Sequence, residues 1–209
     1  MSSADDRKGL FLVIEGGDGS GKDTQLKLLS SYLMEMGYDV LETSEPTDGP
    51  IGRKIRQKGL SEKERYSPLE MQLMFSVDRN HHLRSEVYPA LKDGKIVISS
   101  RYTVSTLAYS YALGLDVELL ESANSGYMKP DLTIYIDVDP DTAIKRIENR
   151  GGAREIYETY DMQRKVREGY RIFLSRFNHI VIDGSMEPGS VYKKIVEAVY
   201  PYLQNLNGA

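Results

Sequence analysis

The stretch LFLVIEGGDGSGKDT, from Leu10 to Thr24, decides the fold. Leu10–Glu15 is a short apolar run without polar alternation, the pattern of a strand buried on both faces. Gly16–Gly21 is a glycine-rich turn, and Gly21–Met36 reads as a helix with Gly37 as its stop signal. A buried strand, a glycine-rich turn and a helix opening on Lys22 are the parts of a phosphate-binding loop. The glycines let backbone N–H groups converge on phosphate oxygens, and the helix N-terminus adds partial positive charge. Lys22 adds a full charge for the β- and γ-phosphates. The pattern calls for a Ser or Thr directly after this lysine, to hold Mg²⁺. Here that residue is Asp23, with Thr24 one position later.

Outward from this loop, short apolar runs alternate with longer amphipathic segments. Strands are expected at Tyr38–Thr43, Lys95–Ser99, Leu132–Val138 and His179–Asp183. Helices are expected from Pro68 toward Tyr88 (interrupted or kinked at Pro89), over Thr103–Leu113 and Val117–Tyr127, from Pro140 to about Arg150, and over Glu158–Phe177 and Ser190–Leu203. The segment holding Pro46, Gly49 and Pro50 reads as a loop. Alternation of this kind gives an α/β fold, a parallel sheet with helices on both faces, whose ligands bind at the carboxyl ends of the strands. The chain has 209 residues, 40% hydrophobic and 28% charged, enough for one full core; residues 1–209 are expected to be one domain. A net charge of −4 gives no sign of a nucleic-acid or membrane-surface partner, so positive charge has to be concentrated at particular arginines and lysines. There is no cysteine, and the run Leu10–Ile14 is too short for a signal core or a membrane span; a cytoplasmic location is the expectation.

Five blocks, in order, give a resemblance to the thymidylate kinases. They are Phe11–Glu15 with the phosphate loop and Thr24-Gln25; Glu45-Pro46 followed by Gly49-Pro50-Ile51-Gly52; Met74–Arg79 followed by His82-Leu83; Arg101-Tyr102 with Ser105, Ala108 and Tyr109; and Pro130–Thr133 running to Asp137–Pro140. The resemblance covers about Leu10 to Tyr202. It implies a three-layer P-loop kinase fold with strand order 2-3-1-4-5, a short lid near 150–157, and transfer of a phosphoryl group from Mg·ATP to thymidylate (dTMP). It also implies a homodimer. The phosphate loop, Gly16, Gly17, Asp18, Gly19, Ser20, Gly21, Lys22, Asp23 and Thr24, would hold ATP.

By the same resemblance Phe75 stacks on the base and Arg79 meets a base carbonyl. Met71, Phe75 and Arg79 share a helical face by their spacing, although residue type alone makes Phe75 ordinary core and Arg79 a solvated cation or a partner of Asp78. Arg101, just past a buried strand, would clamp the monophosphate through its guanidinium fork. Ser105 would touch the base, Tyr109 would block a ribose 2′-hydroxyl, Asp18 would accept from the sugar 3′-hydroxyl, and Glu45 and Pro46 would line the acceptor site. Some relatives carry a catalytic arginine where this chain has Gly19, so the arginine is expected from the lid segment Arg150-Gly-Gly-Ala-Arg154, with Arg146 third in line. His81 and His82 read as solvated helix surface, and His179 has no role in this scheme.

Three serines break the family pattern. Ser44 replaces an arginine before Glu45-Pro46, with Arg53 and Arg56 as nearby candidates to replace it. Ser110 replaces a glutamine after Ala108-Tyr109. Ser100 replaces the aspartate before Arg101-Tyr102 that sits beside Mg²⁺. The missing carboxylate and the extra one at Asp23 form an expected exchange: Asp23 supplies the carboxylate and Ser100 the hydroxyl, both acceptable to a hard cation. The competing readings are another nucleoside monophosphate kinase, or a deoxynucleoside kinase, of relaxed selectivity, and a nucleotide-binding module that no longer transfers phosphate.

Overall fold

The computed structural model describes residues 8–59, 66–150 and 157–207. Strands β1 (Leu10–Glu15), β2 (Val40–Ser44), β3 (Ile96–Ser100), β4 (Leu132–Asp137) and β5 (His179–Asp183) form one parallel sheet. Its order is β2-β3-β1-β4-β5, the order expected from the sequence. Every residue of β1 is buried, because alternate side chains feed two different layers. On one face Leu10, Leu12, Ile14, Ile96 and Ile98 pack with Leu29 and Leu33 of α1 (Lys22–Glu35) and Ile195 and Val199 of α9 (Pro188–Asn207). On the other, Phe11, Val13 and Val97 meet Leu83, Val87 and Leu91. Each such side chain removed from water contributes about 1.5–3 kcal/mol, so a helix shed from either face would strip the central strand.

The parallel register puts the functional ends together. Ile14 and Ser44 both lie opposite Ser100. The connections run to opposite sides of β1, toward β3 on one and β4 on the other, which opens a crevice at the strands' carboxyl ends. At the opposite end, Asp131 closes the entry: its carboxylate accepts from the Phe11 amide at 2.7 Å. The Pro130-Asp131 block is thus a structural part, satisfying a strand amide before the ladder begins.

Helix α3 (Pro68–His82) starts with Pro68 in its first turn and a reciprocal cap. The Ser67 hydroxyl accepts from the Glu70 amide (3.3 Å), and the Glu70 carboxylate accepts from the Ser67 amide (2.7 Å). The path does not break before Pro89. A wider π turn over Leu83–Val87 leads into α4 (Tyr88–Lys92), where Pro89 occupies the first turn and its missing N–H costs nothing. The segment read as a loop after Pro46 also holds helix, α2 (Pro50–Lys54), continued by a π turn to Gly59. The remaining helices are α5 (Thr103–Ala112), α6 (Val117–Asn124), α7 (Pro140–Arg150) and α8 (Tyr160–Phe173). α6 stops short of the expected Tyr127, and α8 gives way to a 3₁₀ turn over Leu174–Arg176. No helix among the described residues is long and apolar enough to cross a membrane.

Candidate active site

β1 delivers the chain into the glycine-rich turn and α1 takes it away. Gly19 and Gly21 hold φ of 76° and 88°, a region costly for residues with a Cβ. At Gly19 space is closed as well: a Cβ would lie 2.4 Å from the Ala143 carbonyl oxygen. No arginine fits at this position, which agrees with seeking the catalytic arginine elsewhere. Arg154 and the side chain of Arg150 lie outside the described residues. Arg146 is engaged structurally, donating to the Gly184 carbonyl (2.9 Å) and the Gly19 carbonyl (3.5 Å).

Lys22 is buried, with its Nζ 4.0 Å from both Asp18 and Asp23. Burial, then the Arg101 charge, pull its ammonium below the usual lysine value, against Asp18, Asp23 and Glu15. An arriving polyphosphate would favour the charged form. Thr24 is exposed. Asp23 and Ser100 are brought together: the Ser100 hydroxyl donates to Asp23 Oδ1 at 2.6 Å. Ser100 is buried at the end of β3, whereas the Asp23 side chain is 72% exposed. Burial raises the Asp23 carboxyl; Lys22, then the Ser100 hydrogen bond, outweigh it, and the net shift is downward. An ionised carboxylate and a hydroxyl side by side at the phosphate loop are oxygen donors of the kind Mg²⁺ takes.

Arg101 sits just past β3 with φ of 69°, the one non-glycine residue with positive φ among those described. Such a conformation persists only where its surroundings enforce it. The enforcement comes from Glu15, fully buried at the end of β1. Its carboxylate accepts from the Tyr102 amide (2.9 Å), the Ser105 amide (3.1 Å), the Ser105 hydroxyl (2.5 Å) and the Tyr170 hydroxyl (3.0 Å). A distant acid thereby caps the N-terminus of α5 and fixes the turn on which Arg101 rides. Burial pushes the Glu15 carboxyl up, in spite of the Ser105 hydrogen bond and the Arg101 charge.

The Arg101 guanidinium pairs with Asp18 and contacts the Tyr109 hydroxyl at 3.2 Å. Tyr109 donates to the other Asp18 oxygen at 2.9 Å. Burial alone would raise the Asp18 carboxyl; Arg101, then Lys22, overcome this, and it lies below the usual aspartate value. Arg101, Asp18 and Tyr109 are therefore one preformed cluster between the phosphate loop and α5. Ser105 lines the same pocket, but its hydroxyl is held by Glu15 and by Tyr170 (2.7 Å), so it anchors α5 to β1.

The pocket encloses about 530 Å³ of space between its walls, the open mouth included. It runs from Asp18 and Arg101 to Phe75 and Arg79 and includes Glu45 and Pro46. Phe75 is half-buried and belongs to none of the core clusters, which leaves a ring face for a flat ligand. Arg79 is not a solvated cation and does not pair with Asp78. It is 1% exposed and lies over the Tyr102 ring, 4.8 Å from its centroid. Glu45 accepts from its Nε (2.9 Å) and Nη2 (2.7 Å), Thr106 accepts from Nη2 (3.1 Å), and Asn124 accepts from Nη1. Of five guanidinium hydrogens this leaves one, on Nη1, for a ligand carbonyl. Asp78 instead pins the loop after β2 by accepting from the Thr47 amide and hydroxyl, both at 2.7 Å.

His82 corrects the surface reading of the histidine pair. His81 is exposed, but His82 is wholly buried. Its Nδ1 meets Glu45 Oε1 at 3.0 Å and its Nε2 meets the Thr43 hydroxyl at 2.7 Å. A carboxylate can only accept, so Nδ1 carries the hydrogen. Glu45 thus holds Arg79, and His82 holds Glu45.

One departure finds a structural explanation. The Ser110 hydroxyl donates to the Thr106 carbonyl at 2.6 Å and is buried away from the pocket. Arg53 and Arg56, the candidates to replace the arginine missing at Ser44, are not among the residues lining the pocket. Arg53 bonds the Asp48 carbonyl (2.7 Å), and Arg56 bonds the Asp48 carboxylate (2.9 Å) and the Pro46 carbonyl. Sequence reasoning missed Gln72, Thr106 and Tyr157 on the pocket wall. It also missed Gln163, whose side chain reaches Asp18 at 3.4 Å. A finer helical phase would have found Gln72: it lies three residues before Phe75 and faces the pocket, while Met71 faces the core.

Comparison with known proteins agrees with this geometry. The family model described as thymidylate kinase matches residues 14–195. A probable thymidylate kinase of Pyrococcus abyssi is 39% identical over 204 residues, spanning 95% of this chain and 100% of the relative. A thymidylate kinase of a Thermoanaerobacter species is 38% identical over 203 residues, 94% of this chain and 100% of the relative. A probable thymidylate kinase of Pyrococcus horikoshii is 42% identical over 167 residues, 78% and 82% respectively. With the expected strand order and phosphate loop in place, the chain belongs to the thymidylate kinase family.

Proposed function

We propose that this protein transfers the γ-phosphoryl group of ATP to dTMP, giving dTDP and ADP. The observation that carries this reading is the continuity of one pocket from Asp18 and Arg101, beside the phosphate loop, to Phe75 and Arg79. A protein that only senses ATP has no need of a second nucleotide site.

Gly16–Gly21 and Lys22 receive the ATP phosphates. Arg101 receives the monophosphate and gives up part of its pairing with Asp18 to do so, freeing Asp18 to accept from the sugar 3′-hydroxyl. Tyr109, held by Asp18, stands where a ribose 2′-hydroxyl would project and favours the deoxy sugar. Phe75 stacks on the base, and the free Nη1 hydrogen of Arg79 meets a base carbonyl. An oxygen of the acceptor monophosphate then forms a bond to the γ-phosphorus while the bond from that phosphorus to the β–γ bridging oxygen breaks. The attacking oxygen is already ionised, so the residues act by positioning and by stabilising charge. By the family resemblance, Arg154 or Arg150 supplies the cation for the transferring group.

Asp23 and Ser100 would hold Mg²⁺, directly or through its waters, in positions exchanged relative to the family pattern. When bound, the cation neutralises charge across the β- and γ-phosphates. The protein acts as a single-domain homodimer in the cytoplasm.

The test is acceptor-dependent ADP release with Mg·ATP across dTMP, dUMP, dCMP, dAMP and dGMP. Turnover that strongly favours dTMP supports the assignment; equal turnover across the panel removes the base-site reading.

A further inference from the structure

Gln72 stands apart among the polar side chains of the pocket. The others have their hydrogen bonds: Glu45 with Arg79 and His82, Asp18 with Arg101 and Tyr109, Ser105 with Glu15 and Tyr170, and Thr106 with Arg79. Gln72 lines the pocket and is 1% exposed, yet its carboxamide oxygen has no hydrogen-bond partner. Burying such an acceptor unpaired is costly, and a native structure retains one only where something else repays it. Its place on α3, three residues before Phe75 and seven before Arg79, puts it on the face that carries the stacking ring and the base-reading cation. The residue where the family pattern has a glutamine, Ser110, has turned its hydroxyl to the Thr106 carbonyl and reads nothing.

We propose that Gln72 is a specificity-determining residue that reads the imide edge of a pyrimidine-2,4-dione, its carboxamide oxygen accepting the base N3–H. Arg79 and Gln72 then divide the edge between them. Arg79 has only hydrogens to give and requires a carbonyl. The Gln72 oxygen requires a hydrogen, and its amide nitrogen can serve an adjacent carbonyl. Thymine and uracil present both features. Cytosine offers an amino group in place of one carbonyl and a bare nitrogen at N3, so it leaves donors facing donors or the amide oxygen unpaired. Discrimination of this type is steep, because the wrong base leaves buried polar groups without partners. The proposal rests on the dTMP reading and adds to it the chemical feature that is read.

The experiment uses the full-length protein and its Gln72→Met variant, which keeps length and volume but loses both amide groups. Acceptors are dTMP and N3-methyl-dTMP, in which a methyl group replaces the imide hydrogen. Wild type should prefer dTMP by roughly tenfold or more in kcat/KM. In Q72M the KM for dTMP should rise by about the same factor, and the preference over N3-methyl-dTMP should fall to within about threefold. The thermal midpoint of unliganded Q72M should equal or exceed wild type, since a buried carboxamide oxygen without a partner has been replaced by an apolar chain; a residue with a structural hydrogen-bonding role would lower it. The assignment is overturned if Q72M keeps the wild-type preference for dTMP over the methylated acceptor, or if its midpoint falls by several degrees. Failure of wild type to use dTMP at all would instead overturn the substrate reading on which the proposal stands.

Discussion

Exchanging Asp23 and Ser100 tests the least expected feature of the phosphate loop. In the Asp23→Thr variant the loop regains the hydroxyl its pattern calls for, but the site loses its carboxylate. The Ser100 hydroxyl loses a charged acceptor at 2.6 Å. Hydrogen bonds to charged groups contribute about 1.5–3 kcal/mol, and the 72% exposure of the Asp23 side chain places this one at the lower end. Loss of the carboxylate beside the cation adds a comparable amount when ATP is bound. The sum, about 2–3 kcal/mol, corresponds to a fall of roughly 30- to 150-fold in kcat/KM for ATP. Asp23→Thr combined with Ser100→Asp restores both groups, reversed across the same gap, and should return to within about tenfold of wild type. The coupling between the two positions should then exceed about 1 kcal/mol. Besides turnover, Mn²⁺ affinity in the presence of ADP, followed by electron paramagnetic resonance, should fall in the single variant and recover in the double. A double variant no better than the single, in rate and in Mn²⁺ affinity, would refute the exchange and leave Asp23 an ordinary acid in the first turn of a helix.

Glu15→Leu should destabilise the protein by at least about 3 kcal/mol in chemical denaturation, because the Tyr102 and Ser105 amides lose their acceptor inside the core. Glu15→Gln keeps an acceptor for both and should cost distinctly less. Equal effects of the two would refute the capping role. The depressed Asp18 carboxyl gives an acid-side signature. Its folded value lies below its unfolded value, so its contribution is present above about pH 4 and is lost as pH falls through the folded value. Asp18→Asn should flatten the fall of stability with acidification in that window. An unchanged slope would show that the Arg101 pairing does not hold the carboxylate.

Much of the fold was legible because two-sided burial forces uninterrupted apolar runs. Leu10–Glu15 and Leu132–Val138 read as strands for that reason, the second ending one residue earlier at Asp137, and the glycines and Lys22 mark the turn between strand and helix. Arg101 was legible for a related reason: a charge immediately past a buried strand has one place to go. Other features lay below the resolution of the pattern. A helix face is read to about one residue, which suffices for Phe75 and Arg79 but not to choose between Met71 and Gln72. Adjacent histidines look alike in sequence, and only helix phase sends His82 to Glu45 and His81 to solvent. Proline marks a break by its missing donor, but a π turn one step earlier absorbs it at Pro89. Glu15 sits beside an apolar run in the sequence; the donors it satisfies come from α5 and α8, far along the chain.

The most direct test of the central claim is the rate of ADP release with Mg·ATP and dTMP, measured against a blank without acceptor and against the other monophosphates. Turnover should depend on the acceptor and favour dTMP strongly over dCMP and the purine monophosphates. ATP binding without any acceptor-dependent turnover would contradict it, and would make the chain a nucleotide-binding module that no longer transfers phosphate.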